Sequence, residues 1–256
     1  MNRTFFAAAL AITLSVPVAA QQKTPAWSHH RAGDPTAELP QAQNNNAPQP
    51  PSLCNPCAFY AGDLDSSNLN AVGMSDENTL LIIGGSGTYG EVDIPAGVTL
   101  SVKGILFNIQ ADAAFDPMQA SYDIRTGVSE GNGGTSLASG TGPIRVQATG
   151  RNFLGVNEYT IASEIPPVTL TPGAYWFNLT PTCTNTLDGS CSVFRQFVSN
   201  TNSLANGVHA GAQPPHQMFF NSSYFGLSWA NWCDSEFDFN QGQCAFLSFG
   251  LIGGAQ

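Results

Sequence analysis

The sequence predicts an all-β fold: a two-sheet antiparallel β-sandwich, jelly-roll-like in its strand count. Three observations carry this. Apolar and polar residues alternate with a period of two in many short stretches, which puts one face of a strand in a core and the other in water. Gly- and Pro-marked turns separate those stretches at short intervals. No window shows a helical period bounded by caps. About nine to eleven strands fit this pattern.

The first strand is expected within residues 58–63, with Phe59 or Tyr60 inward. Leu80 to Ile83 is a short apolar run ended by glycines, which suits a buried strand. Val92 and Ile94 alternate with Glu91 and Asp93 before Pro95-Ala96-Gly97 turns the chain. Val98, Leu100 and Val102 share one parity; Ile105, Phe107 and Ile109 share the other. One strand keeps both sets on one face only if it carries an extra residue. Gly104, beside Lys103, is the natural place for that β-bulge.

Met118, Ala120, Tyr122 and Ile124 alternate with polar neighbours, and a glycine-rich loop is expected over residues 127–140. Ile144, Val146 and Ala148 then alternate, as do Tyr159 and Ile161. Pro166-Pro167 should break that run. Residues 174–179 are apolar on both parities, the mark of a mid-sheet strand covered on both faces. Residues 193–198 are a further strand, and residues 199–215 a polar loop. Residues 218–232 are rich in aromatics, and residues 245–252 read as the closing central strand.

Three regions are expected. Residues 1–20 open with Arg3, continue with an apolar run and end in small residues, which is the pattern of a secretory signal peptide. Residues 21–53 hold six prolines and a Gln/Asn run, so they bury too little apolar surface to offset chain entropy and read as a disordered linker. Residues 54–256 form a single β-sandwich domain. A secreted or periplasmic location follows, with no transmembrane segment in the mature chain.

Eight Lys and Arg stand against eighteen Asp and Glu. Such an acidic surface repels phosphate backbones, so nucleic acid is not expected as a partner. The six cysteines fall as close pairs, Cys54/Cys57, Cys183/Cys191 and Cys233/Cys244, which suits local disulfides in an oxidising compartment.

Three segments are similar to a group of bacterial exported β-sandwich proteins of unknown function, often associated with PEP-CTERM sorting signals. They are Ile94-Pro-Ala-Gly-Val-Thr-Leu100, Ile124-Arg-Thr-Gly-Val-Ser-Glu-Gly-Asn-Gly-Gly-Thr135 and Leu170-Thr-Pro-Gly-Ala-Tyr-Trp-Phe177. The resemblance implies export and a sandwich, and it transfers no catalytic residue. The end of the chain, Leu251 to Gln256, carries no such sorting signal.

Cys54-Asn-Pro-Cys57 has the spacing of a thiol–disulfide site, but it follows a Pro-rich stretch instead of a βαβ strand, so a structural cross-link is the better reading. Gly127-Val-Ser-Glu-Gly131 has the Gly-x-Ser-x-Gly spacing, but it lies in the glycine-rich loop with no helix expected after it, so it is not a nucleophile elbow, and no His-Glu-x-x-His helix is present. The chain is therefore expected to be a non-catalytic extracellular structural or binding module. A carbohydrate-binding, lectin-like sandwich is the alternative, with Tyr224, Trp229 and Trp232 stacking on an extracellular glycan. The same aromatics can instead fill the core. A glycoside hydrolase built on paired carboxylates is a third, weaker reading.

No cofactor is expected, calcium excepted. Asp234, Glu236, Asp238 and Asn240 share one parity and form an oxygen row, with Asp63 and Asp65 as remote ligands. No Lys or Arg follows Arg195 to relieve that row. A solvated acidic edge is the competing account.

Overall fold

The computed structural model describes residues 50–64, 74–76, 85–111, 115, 117–153, 155–182, 196–201, 212, 218–223, 225–231 and 246–256. Among them the fold is all-β and antiparallel. The strands are β1 (Cys57–Tyr60), β2 (Met74–Ser75), β3 (Ser86–Ile94), β4 (Leu100–Ala111), β5 (Gln119–Thr126), β6 (Thr135–Phe153) and β7 (Val156–Leu170). They continue with β8 (Gly173–Thr182), β9 (Phe197–Val198), β10 (Asn200–Thr201), β11 (Met218–Ser222), β12 (Leu227–Asn231), β13 (Phe246–Leu247) and β14 (Phe249–Ala255). No helix among the described residues is long and apolar enough to cross a membrane.

One large sheet runs in the order β1-β14-β4-β7-β6-β5-β8-β3-β11-β12. Its middle is β6, which gives residues up to Pro143 to β5 and residues from Ile144 onward to β7. The sheet curls, because Phe249 of β14 lies 6.3 Å from Phe177 of β8 although β8 is five strands further along it. The concave side holds the main core, with Ile105, Phe107 and Ile109 of β4, Val92 of β3 and Phe177 and Leu179 of β8 all fully buried.

The parity break in β4 is a bulge. Against β14, Val102 pairs with Gly253 and Gly104 with Ile252, so Lys103 is the extra residue, and it points to solvent. Leu100 and Val102 thereby stay in the same core as Ile105 and Phe107. The turn before β4 closes with the Val98 N–H donating to the Pro95 carbonyl at 3.2 Å. Gly97, third in that turn, sits at φ 81, a conformation in which a side chain would be strained.

Three expectations change. Pro166-Pro167 does not end its strand: β7 continues to Leu170 because the prolines lie opposite the Lys103 bulge, where β7 pairs only with β4. No ladder N–H is required of them there. The glycine loop is shorter than residues 127–140, since β6 begins at Thr135. Met118 is 68% exposed and precedes β5, whereas Ala120, Tyr122 and Ile124 are buried as the period demands. Mid-sheet β8 is covered on both faces, with Trp176 buried opposite Tyr175 and Phe177.

Cys54 and Cys57 form a disulfide at the start of β1, the local pairing expected of them. The ends of the domain meet through β1 pairing with β14. Pro50 to Leu53, the last residues of the expected linker, lie on the fold: Ser52 Oγ donates to Gln147 Oε1 at 2.8 Å. Residues 1–49, the Leu80 to Ile83 run and Cys183, Cys191, Cys233 and Cys244 lie outside the described residues.

Candidate functional site

The strands β5, β8, β3 and β11 lie side by side. One parity of each faces the main core. The other parity builds an outer surface, which the ladder registers resolve into rows. Ser121 pairs with Thr180, and Asn221 pairs with Gly87, in one row. Asp123 pairs with Asn178, and Tyr89 with Phe219, in the next.

The first of these rows is open. The β3–β8 ladder runs from Ile94↔Gly173 to Gly90↔Phe177 and then stops. Beyond that point β3 pairs only with β11, and β8 only with β5. Asp76 closes the floor of this gap. Its Oδ1 accepts from the Thr180 hydroxyl at 2.6 Å, the Asn178 amide at 3.0 Å and the Thr88 N–H at 3.4 Å. Asn178 Nδ2 also donates to the Thr88 carbonyl at 2.9 Å. A side-chain network thus stands where ladder hydrogen bonds would otherwise be. Asp76 reaches this position because β2 pairs with β9 and the Asp76 N–H donates to the Gln196 carbonyl.

Above the floor is a cleft of about 500 Å³. Its walls carry Ser86, Asn221, Ser222 and Ser228, with the Tyr89 ring and Leu227 as the larger apolar surfaces. Gly87 matters sterically: a Cβ there would sit 3.3 Å from the Tyr89 ring and 3.6 Å from Asn178 Nδ2, inside the cleft. Ser86 and Ser222 hydroxyls bond each other at 2.6 Å and tie the β3 and β11 ends together. The lining is therefore hydroxyls, amides and bare backbone, groups that hydrogen-bond in either direction.

Next to the cleft the outer surface becomes aromatic. Trp229, on β12, packs on Tyr89 with ring centroids 4.6 Å apart, and the Arg125 guanidinium lies 4.8 Å over its indole. Arg125 also pairs with Asp123 and donates to the Gly133 carbonyl at 2.7 Å. Burial works against the Arg125 charge, but the hydrogen bond and charge of Asp123 outweigh it and raise its pKa. Burial also pushes the Tyr89 phenol well above its ordinary value, aided by the Asp123 charge. Trp229 itself has φ 49, and the Gly131 N–H donates to its carbonyl. Trp229 is thus a half-buried strut between β12, Tyr89 and the loop after β5.

Tyr224 and Trp232, the other two stacking candidates, lie outside the described residues. So do Asp65, Asp234, Glu236, Asp238 and Asn240. Asp63, a remote ligand of the expected oxygen row, accepts from the Tyr60 hydroxyl at 2.7 Å and pairs with Arg151 at 3.0 Å. The cleft residues were not signalled by the sequence, since isolated Ser, Asn and Thr on five strands carry no motif.

No protein-family model matches the chain, and no curated protein or solved structure matches it.

Proposed function

We propose that the protein is an exported, non-catalytic binding module of secreted or periplasmic location, and that it takes a carbohydrate in the outer-face cleft. The cleft carries this reading: about 500 Å³ walled by serine hydroxyls and the Asn221 amide, with the Tyr89 ring as an apolar surface, matches the mixed character of a sugar ring. The signal-like residues 1–20 and the likeness to exported sandwich proteins supply the export part. A two-sheet, jelly-roll-like sandwich is the architecture that goes with it. The change of partner along β6 and the Phe249–Phe177 contact support that arrangement.

A purely structural module is the second reading, and one observation favours it. Trp229 is held by Tyr89, Arg125 and the Gly133 loop instead of standing free as a sugar platform.

The two readings part on a glycan array probed with the parent protein and with Ser228→Trp. Ser228 is exposed on the cleft wall, so an indole there fills the cleft at little cost to the fold. Binding by the parent and its loss in the variant are expected. An array that stays blank for the parent leaves the structural reading, and a signal that survives Ser228→Trp puts the glycan outside the cleft and overturns the cleft assignment.

A further inference from the structure

The donors and acceptors of the cleft floor can be counted. Asn178 Nδ2 has two hydrogens, and both are engaged, one by Asp76 Oδ1 and one by the Thr88 carbonyl. The Thr180 hydroxyl has one, and it is engaged by Asp76 Oδ1 at 2.6 Å, with Asn178 Oδ1 also within reach at 3.0 Å. What these two side chains have left are lone pairs, on Asn178 Oδ1 and Thr180 Oγ1. Asp76, which draws all three hydrogens or N–H groups inward, is a carboxylate directly under the floor. Both residues line the cleft.

Resting on the carbohydrate reading of this cleft, we infer that the floor is selective: it takes neutral sugars, whose hydroxyls donate to Asn178 Oδ1 and Thr180 Oγ1, and rejects uronic acids. A neutral hydroxyl brings the hydrogen that the floor lacks. A ligand carboxylate brings only lone pairs and a negative charge above Asp76. Lone pair against lone pair leaves polar groups unmatched in a half-enclosed site, and the like charges repel. Asp76 is a positioning residue in this scheme. It does not touch the sugar, but it decides which way the hydrogens of Asn178 and Thr180 point.

The test uses the full mature chain and matched pairs of oligosaccharides: neutral glucan, mannan and galactan oligomers against the same backbones oxidised to the uronate at C6. Titration calorimetry at low ionic strength reads the ratio of dissociation constants. The neutral member of a bound pair should bind at least about ten-fold more tightly. Asp76→Asn keeps an acceptor oxygen at the floor and removes the charge, so it should narrow that ratio; a merely structural role would weaken both members alike. If Asp76→Asn does not fold, Thr180→Val supplies the second arm, since it removes one of the two acceptors and should weaken neutral binding several-fold with little loss of melting temperature. Uronates that bind as tightly as their neutral partners overturn the inference and leave the carbohydrate reading standing. A chain that binds neither member of any pair refutes that reading, and the inference with it.

Discussion

Phe249→Ala lowers the stability of the fold by about 3–5 kcal/mol, the cost of emptying a large aromatic site in a packed core. For a chain of this size that is a fall of roughly 6–20 °C in melting temperature. The side chain is fully buried and meets rings from three other strands: Phe59 at 5.3 Å, Phe107 at 5.5 Å and Phe177 at 6.3 Å. Phe59 and Phe107 are on the strands beside β14, whereas Phe177 belongs to the far arm of the curled sheet. Removing the ring therefore takes contacts from both arms at once. Gly90 of β3 completes the socket, for a Cβ there would lie 2.5 Å from Phe249 Cε1. Gly90→Ala alone overpacks the site and costs about 1–3 kcal/mol. In the double variant the new methyl enters the space the ring has left. The loss is then smaller than the sum of the two single losses, and denaturant melts of all four proteins measure the difference.

Arg151→Met is the second large effect, about 3–5 kcal/mol at neutral pH, because it strands a buried charge. Glu158 has no exposed side-chain surface and pairs with Arg151, while Thr149 Oγ1 donates to Glu158 Oε2 at 2.8 Å. Arg151 also pairs with Asp63, which accepts from Tyr60, and Asn108 Nδ2 donates to the Tyr60 hydroxyl at 2.9 Å. The network thus joins β1, β4, β6 and β7. Burial raises the Glu158 carboxyl above its ordinary value, although Arg151 and the hydrogen bonds of Ser199 and Thr149 pull it down. Without Arg151 it rises further. A carboxyl whose folded pKa is raised holds its proton more tightly in the folded chain. Its contribution to stability is then greatest below the unfolded value and is lost as pH climbs through the folded one. The deficit of Arg151→Met should accordingly shrink on acidification from about pH 8 to about pH 4. Adding Glu158→Gln should recover part of the loss at neutral pH, because no buried charge remains. A deficit that does not change with pH would mean that Arg151 acts through its packing alone.

Much of the sheet is legible in the sequence because strand parity is a direct consequence of which face is buried. The two parities of β4 demanded an inserted residue, and Lys103 is that residue in the ladder with β14. The two-sided apolar run of β8 demanded a central place, and β8 lies between β5 and β3. Glycine misled at the start of β6. Gly140 faces Tyr122 across the ladder, and a Cβ there would come within 2.9 Å of the Tyr122 hydroxyl. That glycine makes room for a cross-strand ring and has nothing to do with a turn. Pro166-Pro167 misled for a related reason, since the break they suggest depends on a neighbouring strand needing their N–H groups, and none does. The candidate site was not legible at all. Its residues come from β3, β5, β8, β11 and β12, strands dispersed along the chain, and the floor is closed by Asp76 from a sixth position. The aromatic pattern pointed to Trp229, on β12 next to the cleft-lining Ser228, where the ring braces a loop.

Ligand is expected to occupy the gap where β3 and β8 part. Amide-resolved NMR during titration with a neutral oligosaccharide tests it most directly. The shifts are expected to concentrate at Ser86 and Gly87, at Ser121, at Asn178 to Thr180, at Asn221 to Ser223 and at Gly226 to Ser228, the segments that border the cleft. Shifts confined to Trp229 and the loop after β5, or to the outer residues of β6, with the cleft amides unmoved, would contradict it.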